Sequence, residues 1–252
     1  MSIRFLAVQT TYTHLEIAIA HEQGCIATRT CHKKDASKDF IITLSALLEE
    51  TNTKLKDLVF LAANRGPGPF TTLRTALASI NGLGLATGLP LIGIDGLIAG
   101  VQELANNQYP INVYILNAFA GDVYFGIRQN SQITTGYSNA ESLFNLLATR
   151  AAYATMEKQT IYLFGEGVTH YQEIIMQTLG TKAIIAHPLP HTSSIEYIAQ
   201  SAYSTYNAYQ TKSSRDLSTI DQNIDKTIDK NNSLYEPLLP LYLKAHHFSV
   251  TP

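Results

Sequence analysis

The sequence predicts a two-lobed α/β protein built by duplication, each lobe carrying the element order βββαβαβα. Three observations lead there. Short apolar runs bounded by turn residues alternate with stretches of helical periodicity. The order of these segments in residues 1–107 recurs in residues 108–210. The composition, 45% hydrophobic and only 15% charged over 252 residues, belongs to a chain with a large core and excludes general disorder.

Ile3–Gln9, Leu15–Ala20 and Cys25–Thr30 are β-type runs separated by turns, an antiparallel meander. Phe40, Leu44, Leu47 and Leu48 form one stripe and predict a helix over Ser37–Thr51. Leu58–Ala63 reads as a buried strand ending at Arg65-Gly-Pro-Gly-Pro69, after which Thr71 or Thr72 can cap a helix to about Thr87. Leu91–Ile94 is another buried strand, and Asp95 can cap a helix reaching about Asn106. In the second half, Ile3–Thr28 overlays Ile111–Gly136 without gaps at an offset of 108, which puts Gln9 on Asn117, Leu15 on Val123, Ile17 on Phe125 and Cys25 on Ile133. A helix (Asn139–Arg150), a strand (Thr160–Phe164), a helix (Gly167–Thr178), a strand (Lys182–Ala186) and a helix (Ser194–Gln210) follow. Two such units in tandem make an actin-like (ASKHA), or sugar-kinase-like, duplicated fold.

Residues 211–233 differ, with eight of 23 charged against 15% overall. They read as a solvated surface helix or insertion, the alternative being a docking element for a basic partner or an RNA-bearing complex. Residues 234–252 open on Pro237-Leu-Leu-Pro240, an apolar tail expected to pack back on the body.

With 18 Lys+Arg against 20 Asp+Glu the formal net charge is −2, which removes the broad basic footprint of a protein that grips nucleic acid alone but leaves room for a local patch. Cys25 and Cys31, six apart in extended chain, would lie about 20 Å from each other, beyond disulfide reach. Free thiols in a reducing compartment are expected. The amino terminus has no signal-peptide pattern. The longest uncharged run, Thr75–Ile94, is broken by Gly82, Gly84, Gly88, Pro90 and Asn81, so it reads as helix, turn and strand rather than a membrane span. A soluble, cytoplasmic protein is expected.

As a generic phosphate loop, Arg65-Gly-Pro-Gly-Pro-Phe-Thr-Thr-Leu-Arg74 is poor, because Pro67 and Pro69 lack the N–H donors that such a loop supplies. The same stretch resembles the GPGSFTGLR signature of the bacterial TsaB (YeaZ) family. Phe5-Leu-Ala-Val-Gln-Thr-Thr11 is similar to the family's opening ILAIDTS strand, and Leu55-Lys-Asp-Leu58 to its approach to the signature. Pro90-Leu-Ile-Gly-Ile-Asp-Gly-Leu97, Gly121-Asp-Val-Tyr124 and Pro240-Leu-Tyr-Leu-Lys244 resemble three further family segments. The resemblance spans nearly the whole chain apart from residues 211–233.

The resemblance implies a non-catalytic subunit for making N6-threonylcarbamoyladenosine in tRNA. Its implied partners are a TsaD-like catalytic subunit and a TsaE-like ATPase, with tRNA met indirectly and a homodimer as a further possibility. The family offers no catalytic residues to carry over. TsaD-type proteins hold a metal through an H-x-x-x-H pair, whose positions fall here on Gly96 and Gly100. The one H-x-x-x-H present, His187-Pro-Leu-Pro-His191, is barred from helical geometry by its prolines. His246-His247 reads as surface. Actin-like phosphotransferases place a carboxylate at the first β-turn of each half to hold hydrated Mg²⁺; Gln9 and Asn117 stand there, where TsaB relatives usually keep Asp. No cofactor is therefore expected, nucleotide being possible only at a partner boundary.

On the helix after the signature, Leu73, Leu77, Ile80 and Gly84 should face the core. The opposite side, with Thr75, Ala78, Ser79, Gly82 and Leu85, carries no charge, and Ile42 lies off the core stripe of the preceding helix. Such a smooth face suits close packing on another helix. It is buried by the second lobe or serves as a heteromer or homodimer surface; the family, whose TsaB–TsaD contact uses these two helices, favours the latter. The alternative functions are a metal- or ATP-dependent enzyme and a homodimeric structural protein.

Overall fold

The computed structural model describes residues 3–153, 160–213 and 236–243. They form two compact units: residues 1–103 with 192–240, and residues 104–191 with 241–252.

In the first unit, β1 (Arg4–Thr10), β2 (His14–His21) and β3 (Gly24–His32) make the antiparallel meander. The helix α1 (Ala36–Glu50) leads to β4 (Leu58–Asn64), α2 (Phe70–Thr87) leads to β5 (Leu91–Ile94), and α3 (Gly96–Leu104) follows. The sheet order is β3-β2-β1-β4-β5, with β4 and β5 parallel to β1. Alternation along β1 and β4 sends Leu6, Val8, Leu61 and Ala63 to one face and Phe5, Ala7, Phe60 and Ala62 to the other. The first face is covered by Phe40, Leu44 and Leu47 of α1 and Leu73, Leu77 and Ile80 of α2.

The second face is covered by α6 (Ile195–Ser213), whose Ile198, Ala199 and Ala202 are fully buried against Phe5, Phe60 and Ile92. Phe60 stacks between Phe5 and Tyr206, at 4.3 and 4.6 Å between ring centroids. This corrects the division of the sequence at 108–210. The last helix belongs to the first unit, because the aromatic face of the first sheet is what its 3–4 spacing of apolar residues buries.

The second unit repeats the plan with β6 (Ile111–Asn117), β7 (Asp122–Gln129), β8 (Gln132–Asn139), α4 (Ala140–Tyr153), β9 (Ile161–Phe164), α5 (Gly167–Leu179) and β10 (Ala183–Ile185). Its order, β10-β9-β6-β7-β8, is that of the first sheet, so the chain has the duplicated actin-like α/β fold. Ile111, Val113 and Ile115 pack under Leu143, Phe144 and Leu147 of α4 and Ile175 and Leu179 of α5.

Three local expectations differ. The gapless overlay at 108 cannot hold for a whole hairpin: Thr10 pairs with Leu15, whereas Asn117 pairs with Val123, so the second turn is one residue longer and Asn117 takes the place of Thr10 rather than of Gln9. Neither Thr71 nor Thr72 caps α2, which begins at Phe70 behind Pro69, a ring with the φ that a helix start requires. The helix after Asp95 stops at Leu104, although Asp95 Oδ1 does cap it, accepting N–H bonds from Leu97 and Ile98 at 2.8 and 3.1 Å. Burial pushes the Asp95 carboxyl up, against those two bonds and the nearby Arg65 guanidinium.

Of residues 211–233 only the end of α6 is described, so that segment and the His246-His247 pair lie outside the described residues. In the tail, Leu238 is 1% exposed within the first core. Asn81 of α2 clamps it: its Oδ1 accepts the Leu238 N–H at 2.8 Å and its Nδ2 donates to the Leu238 carbonyl at 3.0 Å. Arg65 Nε donates to the Leu239 carbonyl at 2.7 Å.

Candidate interaction face and the closed turns

The signature loop is tied into the core. The Gly66 N–H donates to Asn64 Oδ1 and the Gly66 carbonyl accepts from the Gly96 N–H, both at 2.8 Å. Gly66 has φ +95°, a left-handed conformation that favours glycine. With that N–H engaged and two prolines alongside, the loop offers no nest for phosphate.

The two first-turn amides are equally committed. Gln9, 2% exposed, donates from Nε2 to Glu16 Oε2 at 2.5 Å and to the Ser193 carbonyl at 3.0 Å. Asn117, 6% exposed, accepts at Oδ1 from the Phe119 N–H at 2.8 Å and the Tyr171 hydroxyl at 3.3 Å. The Mg²⁺–nucleotide of actin-like enzymes needs carboxylate oxygens facing its water shell. An amide pointing N–H at a carboxylate, and another whose oxygen is taken by two donors, do not fit it.

The TsaD metal position does not fit either. A Cβ added to Gly96 would lie 2.6 Å from Asn64 Oδ1 and 2.8 Å from the Gly66 carbonyl, so this backbone leaves no room for an imidazole. Among the described residues no three His, Cys, Asp or Glu side chains gather into a metal-binding group. An open depression of about 630 Å³ beside Tyr171 is lined from α5 alone. Both thiols are free, and burial followed by the Glu196 carboxylate pushes Cys25 up to about 12, far from an activated nucleophile.

The uncharged face is different. Leu85 is 90% exposed and Ile42 65%, with Ala78 and Gly82 also exposed. Thr75 and Ser79 are half-buried, and their hydroxyls donate to the Thr71 and Thr75 carbonyls at 3.0 Å each. Those back-bonds use the hydroxyl hydrogens within the helix, so the face presents methyl groups and backbone to an approaching surface. Around an added Cβ at Gly82 there is nothing within 4 Å, whereas one at Gly84 would meet Leu91 Cδ2 at 2.7 Å. Gly84 is demanded by internal packing; Gly82 is not.

Two members of the face escaped the sequence reading, Ile41 at 57% and Phe70 at 48% exposure. Ile41 was hidden by its place next to Ile42, and Phe70 by the assumption that a threonine cap would start α2. Arg74 lies over the Phe70 ring, 5.0 Å from its centroid.

The family TsaD, tRNA N6-adenosine threonylcarbamoyltransferase, matches residues 26–136. The tRNA threonylcarbamoyladenosine biosynthesis protein TsaB of Buchnera aphidicola subsp. Schizaphis graminum is 27% identical over 170 residues, 66% of this chain and 80% of that protein. TsaB of Escherichia coli K12 is 26% identical over 168 residues, 66% of this chain and 70% of that one. Among solved structures, YeaZ from Pseudomonas aeruginosa superposes with a TM-score of 0.59 at 22% identity, covering 81% of this chain and 94% of that one, which shows a shared fold.

Proposed function

As the chain is a divergent member of the TsaB (YeaZ) family, we propose that it is a non-catalytic subunit for forming N6-threonylcarbamoyladenosine in tRNA, pairing with a TsaD-like catalytic protein. The observation that carries the reading is the exposed, largely apolar face of α1 and α2, with Arg74 over Phe70 at its edge, on a TsaB-like chain whose own turns are closed to metal and phosphate. Ile42, Thr75, Ala78, Ser79, Gly82 and Leu85 make the contact, with Ile41 beside them. A TsaE-like ATPase completes the assembly, and the chain itself carries no cofactor. No described helix is long and apolar enough to cross a membrane, and the reading places the chain in the cytoplasm beside tRNA.

The test is co-purification of tagged chain with the TsaD-like protein of the same cell, together with measurement of the modified nucleoside after depletion. The reading expects a stoichiometric complex and loss of threonylcarbamoyladenosine. Ala78→Arg or Gly82→Arg should weaken pairing at least a hundredfold with the melting curve unchanged, because the charge would be buried unpaired at a close helix contact. Full-strength pairing in both variants overturns the assigned face; normal nucleoside levels after depletion overturn the function.

A further inference from the structure

Beyond that face, the first unit carries one concentrated basic patch. Three of the chain's 18 Lys and Arg residues fall within positions 33–38, at the turn between β3 and α1. That turn is fastened to the turn between β1 and β2. The Lys33 N–H donates to the Thr13 carbonyl at 3.0 Å, and Lys33 Nζ to the Tyr12 carbonyl at 2.8 Å. His14 and His32 are register partners in the β2–β3 ladder, their rings 6.0 Å apart and nearly perpendicular.

All five side chains, His14, His32, Lys33, Lys34 and Lys38, are exposed, and none of the lysines has a carboxylate partner among the described residues. The ring nitrogens are ordered. Nδ1 of His32 accepts the Lys34 N–H at 3.3 Å, which leaves the proton of the neutral ring on Nε2. Nδ1 of His14 is 2.8 Å from Thr13 Oγ. Asp35 and Asp39 are the acidic neighbours on the same turn, and both stand at the start of α1, where the helix dipole favours negative charge. The tip thus presents three ammonium groups that touch no described carboxylate beside an imidazole N–H donor, a net charge of +1 once Asp35 and Asp39 are counted. The Thr11 hydroxyl is spent on the His14 carbonyl at 3.2 Å. Ammonium groups with an N–H donor beside them are the chemistry that takes backbone phosphate. Lys38 also stands one helical turn before Ile41 and Ile42 on the exposed side of α1, so the patch runs up to the uncharged face.

We propose that this tip, where the β1–β2 and β3–α1 turns bring His14, His32, Lys33, Lys34 and Lys38 together, contacts the phosphate backbone of the tRNA held by the modification complex. The inference rests on the function proposed above. With a net charge of −2 the chain supplies a local contact that adds to the catalytic partner's grip. Non-specific phosphate contacts of this kind anchor the RNA and carry no sequence information.

The test is fluorescence anisotropy of labelled substrate tRNA against the reconstituted complex and against the chain alone, over a range of salt concentrations. Lys33→Glu/Lys34→Glu/Lys38→Glu should weaken tRNA binding by the complex about tenfold or more and lower the slope of log affinity against log salt by about 2 to 3. Binding to the catalytic partner should stay unchanged, and Lys54→Glu/Lys56→Glu, at exposed lysines elsewhere in the unit, should alter neither. The milder triple Lys→Gln change gives the same readout should the reversal disturb folding. Unchanged tRNA affinity and slope overturn the proposal. Slower pairing with the catalytic protein and unaltered tRNA binding overturn it too, and reassign the patch to steering an acidic protein surface. Should the wild-type chain form no complex, the titration of the chain alone still decides the RNA contact, separately from the proposed function.

Discussion

Gln9 and Asn117 stand beside the first turn of their sheets but on opposite strand faces. Gln9 shares its face with Phe5 and Ala7, toward α6, whereas Asn117 ends β6 on the face of Val113 and Ile115, toward α5. Gln9 donates from Nε2 to the Glu16 carboxylate and the Ser193 carbonyl, while its Oε1 accepts from Asn64 Nδ2 at 3.4 Å. Asn117 works as an acceptor, its Oδ1 taking the Phe119 N–H and the Tyr171 hydroxyl. An acid at position 9 would face the Glu16 carboxylate at the site of an N–H donor. One at position 117 could keep both acceptor bonds, with Glu166 Oε2 nearby accepting the Asn117 N–H at 3.4 Å. The two halves share a topology, but only the first aims its amide N–H at a carboxylate.

The largest effect that would break this contrast is Gln9→Glu. The new carboxylate would face Glu16 in a buried site and should cost about 3 kcal/mol at pH 7. Burial and the like charge raise its folded pKa above the unfolded value. The protonated form is then fully tolerated below the unfolded pKa of about 4.3, and stability is lost as pH rises through the folded value. Urea titrations at pH 5 and 7.5 should show the variant closer to wild type at the lower pH; an equal deficit at both would sink the donor assignment.

Next in size is Leu238→Ala, expected to cost about 2 to 4 kcal/mol from the cavity it leaves. The tail segment is part of the first core, so hydrogen exchange should accelerate in β1, β4 and α2 while β6 and β9 keep their protection. Uniform acceleration would mean that the two units unfold as one.

Two glycines in one helix give a smaller, two-signed effect. Gly84→Ala should destabilise by about 1 to 3 kcal/mol through its clash with Leu91. Gly82→Ala meets no atom and should stabilise by about 0.5 to 1 kcal/mol, as alanine does in an exposed helix. A loss of partner affinity in Gly82→Ala, despite the gain in stability, would tie that glycine to the interface. The smallest change is Asn117→Asp, which keeps both acceptor bonds and should stay within about 1 kcal/mol of wild type at pH 7; a loss as large as that of Gln9→Glu would erase the contrast between the turns.

Much of the fold was legible along the chain. Every strand and helix of the two units falls on a segment marked by apolar periodicity, because burial against one sheet imposes that periodicity locally. Ile42, Ala78, Gly82 and Leu85 were legible for the same reason: a residue off the apolar stripe of an amphipathic helix faces away from its core. Phe70 was not, since the start of α2 depended on Pro69 rather than on a capping side chain.

The sequence by itself determined the duplicated order, the largely apolar helix face and the neutrality of the two turns. Tertiary structure alone decided that α6 serves the first sheet, that Asn81 and Arg65 hold Leu238 and Leu239, and that the two amides lie on opposite strand faces with different partners. The division has a physical basis. Periodicity, charge and side-chain type are properties of neighbouring residues, whereas the partner of a buried face or of an amide depends on residues up to 184 positions away, as Gln9 and Ser193 are. Such a pairing leaves no local trace, because any carbonyl that the fold brings to the same place would satisfy the same N–H.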